Sequence, residues 1–135
     1  MPDFRQVTAD FFVSPQISAA DIEAAAAMGV TLVINNRPDD EVPGQPTSAQ
    51  IEAAARAAGM DYLHVPVRGG PTAEQVETNR EAIENADGPV LAFCRSGTRS
   101  INTWSLGQAL SGARSRKELL SLGAAAGYDL SAVLG

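Results

Sequence analysis

Two runs of residues, Val30-Thr31-Leu32-Val33-Ile34 and Pro89-Val90-Leu91-Ala92-Phe93, constrain the fold more than any other feature of the chain. Each is apolar along nearly its whole length, with no polar residue at every second position. A strand written this way has both faces buried, as an inner strand of a parallel sheet covered by helices does. The segments around the runs fit that picture. Ser18-Ala19-Ala20-Asp21, Thr47-Ser48-Ala49-Gln50 and Thr72-Ala73-Glu74-Gln75 have the spacing of capping boxes, predicting helices that reach about Met28, Ala58 and Ala86. Gly29 and Gly59 terminate the first two. Asn35 to Pro46, rich in proline, is a loop. Tyr62 to Val67 predicts a strand that ends early or lies near an edge, because Pro66 cannot donate to a ladder. Phe4 to Val13 predicts one or two short edge strands. A helix from about Arg99 to Leu110, another capped by Ser115 and interrupted at Gly123 or Gly127, and a last helical turn between Tyr128 and Leu134 complete the chain. The alternation predicts an α/β fold, a mostly parallel central sheet with helices on both faces, in a single domain over residues 1–135.

Composition narrows the function. A net charge of -6 repels nucleic-acid backbones, so nucleic acid is excluded as a partner and any anion site must be a local basic pocket. The start Met1-Pro2-Asp3-Phe4-Arg5 lacks the basic residues and apolar run of a signal peptide, and no stretch has membrane-spanning length. With one cysteine no intramolecular disulfide forms. The expectation is a cytoplasmic protein that does not engage membranes. One histidine and one cysteine make a metal site improbable, and no cofactor is implied.

The basic pocket falls in one place. The apolar strand ending at Phe93 delivers Cys94, and a helix leaves from about Arg99. Between them, Gly97 permits a positive φ, so the chain can curl with successive N–H groups turned inward. The positive end of the helix adds to these donors, and Arg95 and Arg99 supply charge, Arg99 with a fork suited to an oxyanion. Basic residues at a helix N-terminus are unfavourable without an anion to serve. Helix N-termini and basic neighbours favour the thiolate, the form of cysteine that attacks. Cys94 is thus expected as an ionised nucleophile reachable from solvent, cradled by Arg95, Ser96, Gly97 and Thr98, with a hydroxyl from Ser100 or Thr98 for its sulfur. Because ligands in such folds bind beyond the carboxyl ends of strands, Cys94 and the loop from Asn35 to Glu41 should share one rim.

Phe93-Cys94-Arg95-Ser96-Gly97-Thr98-Arg99-Ser100, with Asn35-Asn36-Arg37-Pro38-Asp39-Asp40-Glu41 upstream, resembles the phosphatase-like domain of the beta-lactamase hydrolase-like proteins over roughly residues 4 to 110. The resemblance implies a fold like that of dual-specificity and tyrosine phosphatases. Fusion of such domains to persulfide dioxygenase-type hydrolases and sulfide-oxidising flavoproteins implies sulfur metabolism. Cys94 to Ser100 also resembles the active-site loop of single-domain rhodaneses. By position, Cys94 matches the nucleophile, Arg99 the anion-binding arginine, and Asn35, Arg37, Asp39, Asp40 and Glu41 the loop that in phosphatases often supplies a general acid.

Two departures tilt this reading towards sulfur. The four residues between Cys94 and Arg99 are one fewer than in tyrosine phosphatases, and Phe93 stands where those enzymes usually have histidine. Sulfane-sulfur transfer from thiosulfate or a persulfide, through a Cys94 persulfide discharged by a small external thiol or cyanide, is therefore the first expectation. Phosphoester hydrolysis through a Cys94 phosphocysteine, with Asp39, Asp40 or Glu41 protonating the leaving group, is the alternative. A non-catalytic phospho-ligand module is the third class, disfavoured because binding alone needs no thiol. Acids beside a thiolate oppose its ionisation, so at most one should point inward. Arg37 is expected in the anion pocket or in a structural ion pair, and His64 is expected to be structural.

Overall fold

The computed structural model describes residues 2–135. Five strands, β1 (Arg5–Thr8), β2 (Phe11–Ser14), β3 (Leu32–Asn35), β4 (Asp61–His64) and β5 (Val90–Phe93), form one sheet in the order β1-β2-β5-β3-β4. β2, β5, β3 and β4 run parallel, and only β1 joins antiparallel at the edge. The sheet is mixed, and the two apolar runs occupy its adjacent inner positions.

Side chains of β5 alternate between two separate cores. Val90 and Ala92 pack with Ile101, Trp104, Leu119 and Leu130. Leu91 and Phe93 pack on the other face with Ile22, Ala25, Ile51 and Ala55. The first layer holds α3 (Ala73–Asn85), α4 (Thr98–Ser111), α5 (Arg116–Ala125) and α6 (Ser131–Leu134); the second holds α1 (Ala19–Ala27) and α2 (Ser48–Ala57). Every residue of β3 and β5 is buried, which is why these strands carry no polar alternation. Trp104 stacks on Phe11 at 5.3 Å between ring centroids. Among the described residues, no helix is long and apolar enough to cross a membrane.

The helix starts follow their capping residues. Ser18, Thr47 and Thr72 accept from the backbone N–H three residues on, and the side chains of Asp21, Gln50 and Gln75 reach back to the capping residue's own N–H. Two boundaries left open by the amino-acid sequence are settled. β4 ends at His64, before Pro66, and lies at the sheet edge, as expected; the N–H groups of Val65 and Val67 still donate to the carbonyls of Asn35 and Asn36, while Pro66 between them cannot. Of the two candidate glycines, Gly123 lies inside α5, where Leu130 packs against it and leaves no room for a side chain. The chain turns instead at Gly127, whose φ of 91° is a left-handed conformation.

Replacing one cap isolates its contribution. Thr72→Ala should lower unfolding free energy by about 1 kcal/mol and the thermal midpoint by roughly 4 °C, measured by circular dichroism.

Candidate active site

β3 and β5 are neighbours, with Asn35 paired to Phe93. Their carboxyl ends therefore open side by side, and the loops that follow them share one rim. From β5 the chain enters Cys94 and curls through Gly97, which caps α4 with φ 92° and makes no side-chain cap bond. The curl turns the Gly97 N–H onto the Cys94 sulfur at 3.1 Å. The Ser96 hydroxyl donates to Thr98 Oγ1 at 3.1 Å, and the expected bond from the Thr98 hydroxyl to the sulfur does not form. Ser100 is fully buried and its hydroxyl has no partner among the described residues, while Arg95 lies exposed.

The second loop brings a carboxylate to this curl. Arg99 donates through both terminal nitrogens to Glu41, at 2.7 and 2.8 Å, and to the carbonyl of Val67 at 2.9 Å. Glu41 also accepts from Arg37 Nε at 2.9 Å. The Arg37 side chain is 4% exposed, and a guanidinium buried that deeply requires partners. Gln16 supplies a second at 2.9 Å, and the Arg37 carbonyl lies 2.8 Å from His64 Nε2. Glu41 thus bridges two guanidiniums. Its hydrogen bonds to Arg99, ahead of those to Arg37 and against a smaller cost of burial, hold its carboxyl down at about 2. The Arg99 guanidinium is in turn pushed up, first by its hydrogen bond to Glu41 and in lesser part by Cys94 beside it.

The three acids of the loop separate cleanly. Glu41 alone bonds the Cys94–Arg99 loop. Asp39 Oδ1 accepts from the Ser48 N–H at 2.8 Å, at the start of α2. Asp40 is exposed, with φ 61°. Asn35 Oδ1 accepts the Arg37 N–H at 2.8 Å and shapes the turn into the loop. The expectation that the sulfur is reachable from solvent is corrected: Cys94 is 0% exposed. The Gly97 amide bonds the buried sulfur, and Arg99 is bonded to Glu41 and the Val67 carbonyl. The guanidinium stays beside the sulfur, so the anion site is assembled but occupied by the protein's own carboxylate. Among the described residues, no cluster of histidine, cysteine and acidic side chains is suited to hold a metal.

Sequence reasoning missed the groups that act on this site from other segments: Gln16 on Arg37, the Val67 carbonyl on Arg99, and Tyr128, whose hydroxyl donates to the Ser96 carbonyl at 2.9 Å. The i,i+4 spacing of Arg37 and Glu41 was a readable sign of their pairing; the other contacts are long-range and leave no local pattern.

Fold and site together define a phosphatase-like enzyme with a cysteine nucleophile. Residues 3–111 match the model of the beta-lactamase hydrolase-like protein, phosphatase-like domain, and the chain belongs to that family. A beta-lactamase hydrolase-like protein of Agrobacterium fabrum is 40% identical over 122 residues, 89% of this chain; the match spans 28% of the length of that relative. A phosphatase candidate of Neisseria meningitidis has the same structure at a TM-score of 0.86 and 35% identity, over 98% of this chain and 94% of that one. The active form of Tk-PTP shares the fold at a TM-score of 0.74 and 20% identity, over 98% and 94% of the two chains. The family model and the Neisseria likeness support a phosphatase-like domain.

The bridging carboxylate makes stability acid-sensitive. Its folded value lies below the unfolded carboxyl value of about 4.3, so its contribution is complete above that pH and is lost as pH falls through about 2. Urea unfolding between pH 5 and pH 2 should show this loss in the wild type and a flatter dependence in Glu41→Gln, once the change common to both proteins is subtracted.

Proposed function

We propose that the chain hydrolyses phosphomonoesters through a phosphocysteine on Cys94. One observation carries this reading: Arg99, beside the sulfur, already grips an oxyanion with both prongs of its guanidinium. A phosphoryl group presents the same paired oxygens and a second negative charge, and it lies beside the Gly97 amide of the curl. Substrate displaces Glu41 from Arg99. The Cys94 thiolate forms the S–P bond in line as the ester P–O bond breaks, with Arg99 and the loop amides stabilising the equatorial oxygens. Water then cleaves the S–P bond, releasing inorganic phosphate and restoring the thiolate.

The leaving oxygen needs a proton, and clamped Glu41 is ionised. Displacement changes its surroundings. Freed from Arg99 and set beside a phosphate dianion, the carboxyl takes up a proton more readily than in the clamp, because a like charge nearby opposes ionisation. We assign the general-acid role to Glu41, ahead of Asp39 and Asp40, which do not bond the loop. Arg37 keeps a hold on the Glu41 side chain during the exchange.

Sulfur transfer is the second reading, favoured by one observation: sulfite leaves thiosulfate without a proton, and the resting site offers none. In that reaction Cys94 forms an S–S bond with the outer sulfur of thiosulfate as sulfite departs, and cyanide or a small thiol removes the sulfur from the persulfide.

Purified protein assayed with p-nitrophenyl phosphate, and separately with thiosulfate and cyanide, decides between them. Phosphate release without thiocyanate is the expected result; thiocyanate alone reverses the order. Cys94→Ser should abolish turnover. Arg99→Lys, losing the planar fork, should lower kcat/KM by roughly 10²- to 10³-fold. Neither product, with a thiol inert to alkylation, would leave the binding module.

Leaving-group dependence tests the acid. Glu41→Gln should lower kcat on an alkyl phosphate by roughly 10²-fold or more and change kcat on p-nitrophenyl phosphate far less, since nitrophenolate departs without help. An equal loss on both substrates removes Glu41 from that role.

A further inference from the structure

The amide that meets the Cys94 sulfur is governed from the far end of the chain. At one end of the Ser96–Gly97 peptide, the Gly97 N–H donates to Cys94 Sγ at 3.1 Å. At the other, the Ser96 carbonyl accepts the Tyr128 hydroxyl at 2.9 Å. A trans peptide fixes its C=O and N–H on opposite sides, so holding one end aims the other. Tyr128 lies between α5 and α6, outside the residues 3–111 that match the family.

The ring itself is held. The Arg5 guanidinium of β1 lies 5.3 Å from its centroid, donates to the Ala126 carbonyl at 3.2 Å and pairs with Asp3. A methyl group added at Gly97 would run into the Tyr128 hydroxyl, so the absent side chain at the head of α4 is the space the phenol fills.

We propose that Tyr128 is a positioning residue for the nucleophile: its hydroxyl orients and polarises the Ser96–Gly97 peptide so that the Gly97 N–H stabilises the Cys94 thiolate. This deepens, and rests on, the reading of Cys94 as the attacking group. Hydrogen bonds linked through one peptide strengthen each other by about 10–30%. Burial, ahead of the opposing charge of Arg5, pushes the phenol up from its ordinary value, so Tyr128 keeps the proton it donates. The other charged groups at the sulfur, Arg99 and through it Glu41 and Arg37, come from α4 and from the loop after β3, and a change at Tyr128 leaves them in place.

Tyr128→Phe removes the hydroxyl and retains the ring over Arg5. The readout is the rate of Cys94 alkylation by iodoacetamide across pH, measured in the wild type and in a Glu41→Gln background, where the carboxylate no longer braces Arg99 over the sulfur. In both backgrounds the variant's profile should move up by about 0.5 pH units, which is roughly threefold slower reaction below the midpoint, with the plateau rate unchanged. Superimposable profiles overturn the proposal. As a second measurement, the Gly97 amide proton should move upfield by NMR in Tyr128→Phe while amides of β3 and α2 hold still; a stationary Gly97 resonance also overturns it. Alkylation requires no turnover, so a protein that releases no phosphate still answers this question, and the two readings fail separately.

Discussion

Everything the site does follows from the pairing of β3 with β5. Both are inner parallel strands buried on both faces, and their register sets Asn35 beside Phe93. Two loops are thereby delivered to one rim, a basic curl from one strand and an acidic turn from the other. Neither is complete alone. The curl provides a thiol, a glycine amide and Arg99. The turn provides Glu41, with the buried Arg37 to hold it. A shift of one residue in this pairing would exchange the faces of the strand and unmake both cores. The chemistry is therefore tied to the most strongly specified part of the fold.

The helices hold the rim from behind. α4 begins at the curl and packs Ile101 and Trp104 against β5 and the neighbouring Phe11, so that the loop is anchored at both ends in apolar core. α3 and α4 lie against each other, and Asn79 of α3 accepts from Asn36 at 3.2 Å, directly after β3. Asn36 also donates to the Val65 carbonyl at 3.1 Å. This buried amide network connects the segment that supplies Val67 to Arg99 with the loop that supplies Glu41.

Much of this was legible in the amino-acid sequence, for local reasons. The unbroken apolarity of Val90 to Phe93 stated a doubly covered strand, and Thr72 with Gln75 marked a helix start by a pair of hydrogen bonds four residues wide. The cysteine, glycine and arginine of the curl are close in sequence, so their convergence was readable. The burial of the sulfur was not, nor was the clamp of Arg99 on Glu41, 58 residues away, since both depend on long-range packing. The identical acidic character of Asp39, Asp40 and Glu41 likewise hid their different directions, which the backbone sets: Asp39 is captured by the start of α2, and Asp40 turns outward with a left-handed φ. Tyr128 carries no signal at all in its own neighbourhood. The preference for sulfur transfer rested on loop length and on Phe93 in place of histidine, features that do not by themselves separate the two chemistries within one fold.

The carboxylate that spans Arg37 and Arg99 also makes the resting pocket selective before any chemistry begins. A group tethered to the same fold acts as a competitor at an effective concentration in the millimolar range or above. Chloride, acetate and other singly charged solutes offer Arg99 nothing better than it already has. A ligand gains entry only by bringing more charge, or more oxygens for the amides beneath, than the occupant it evicts. The protein thus carries its own reference anion, and whatever binds is measured against it.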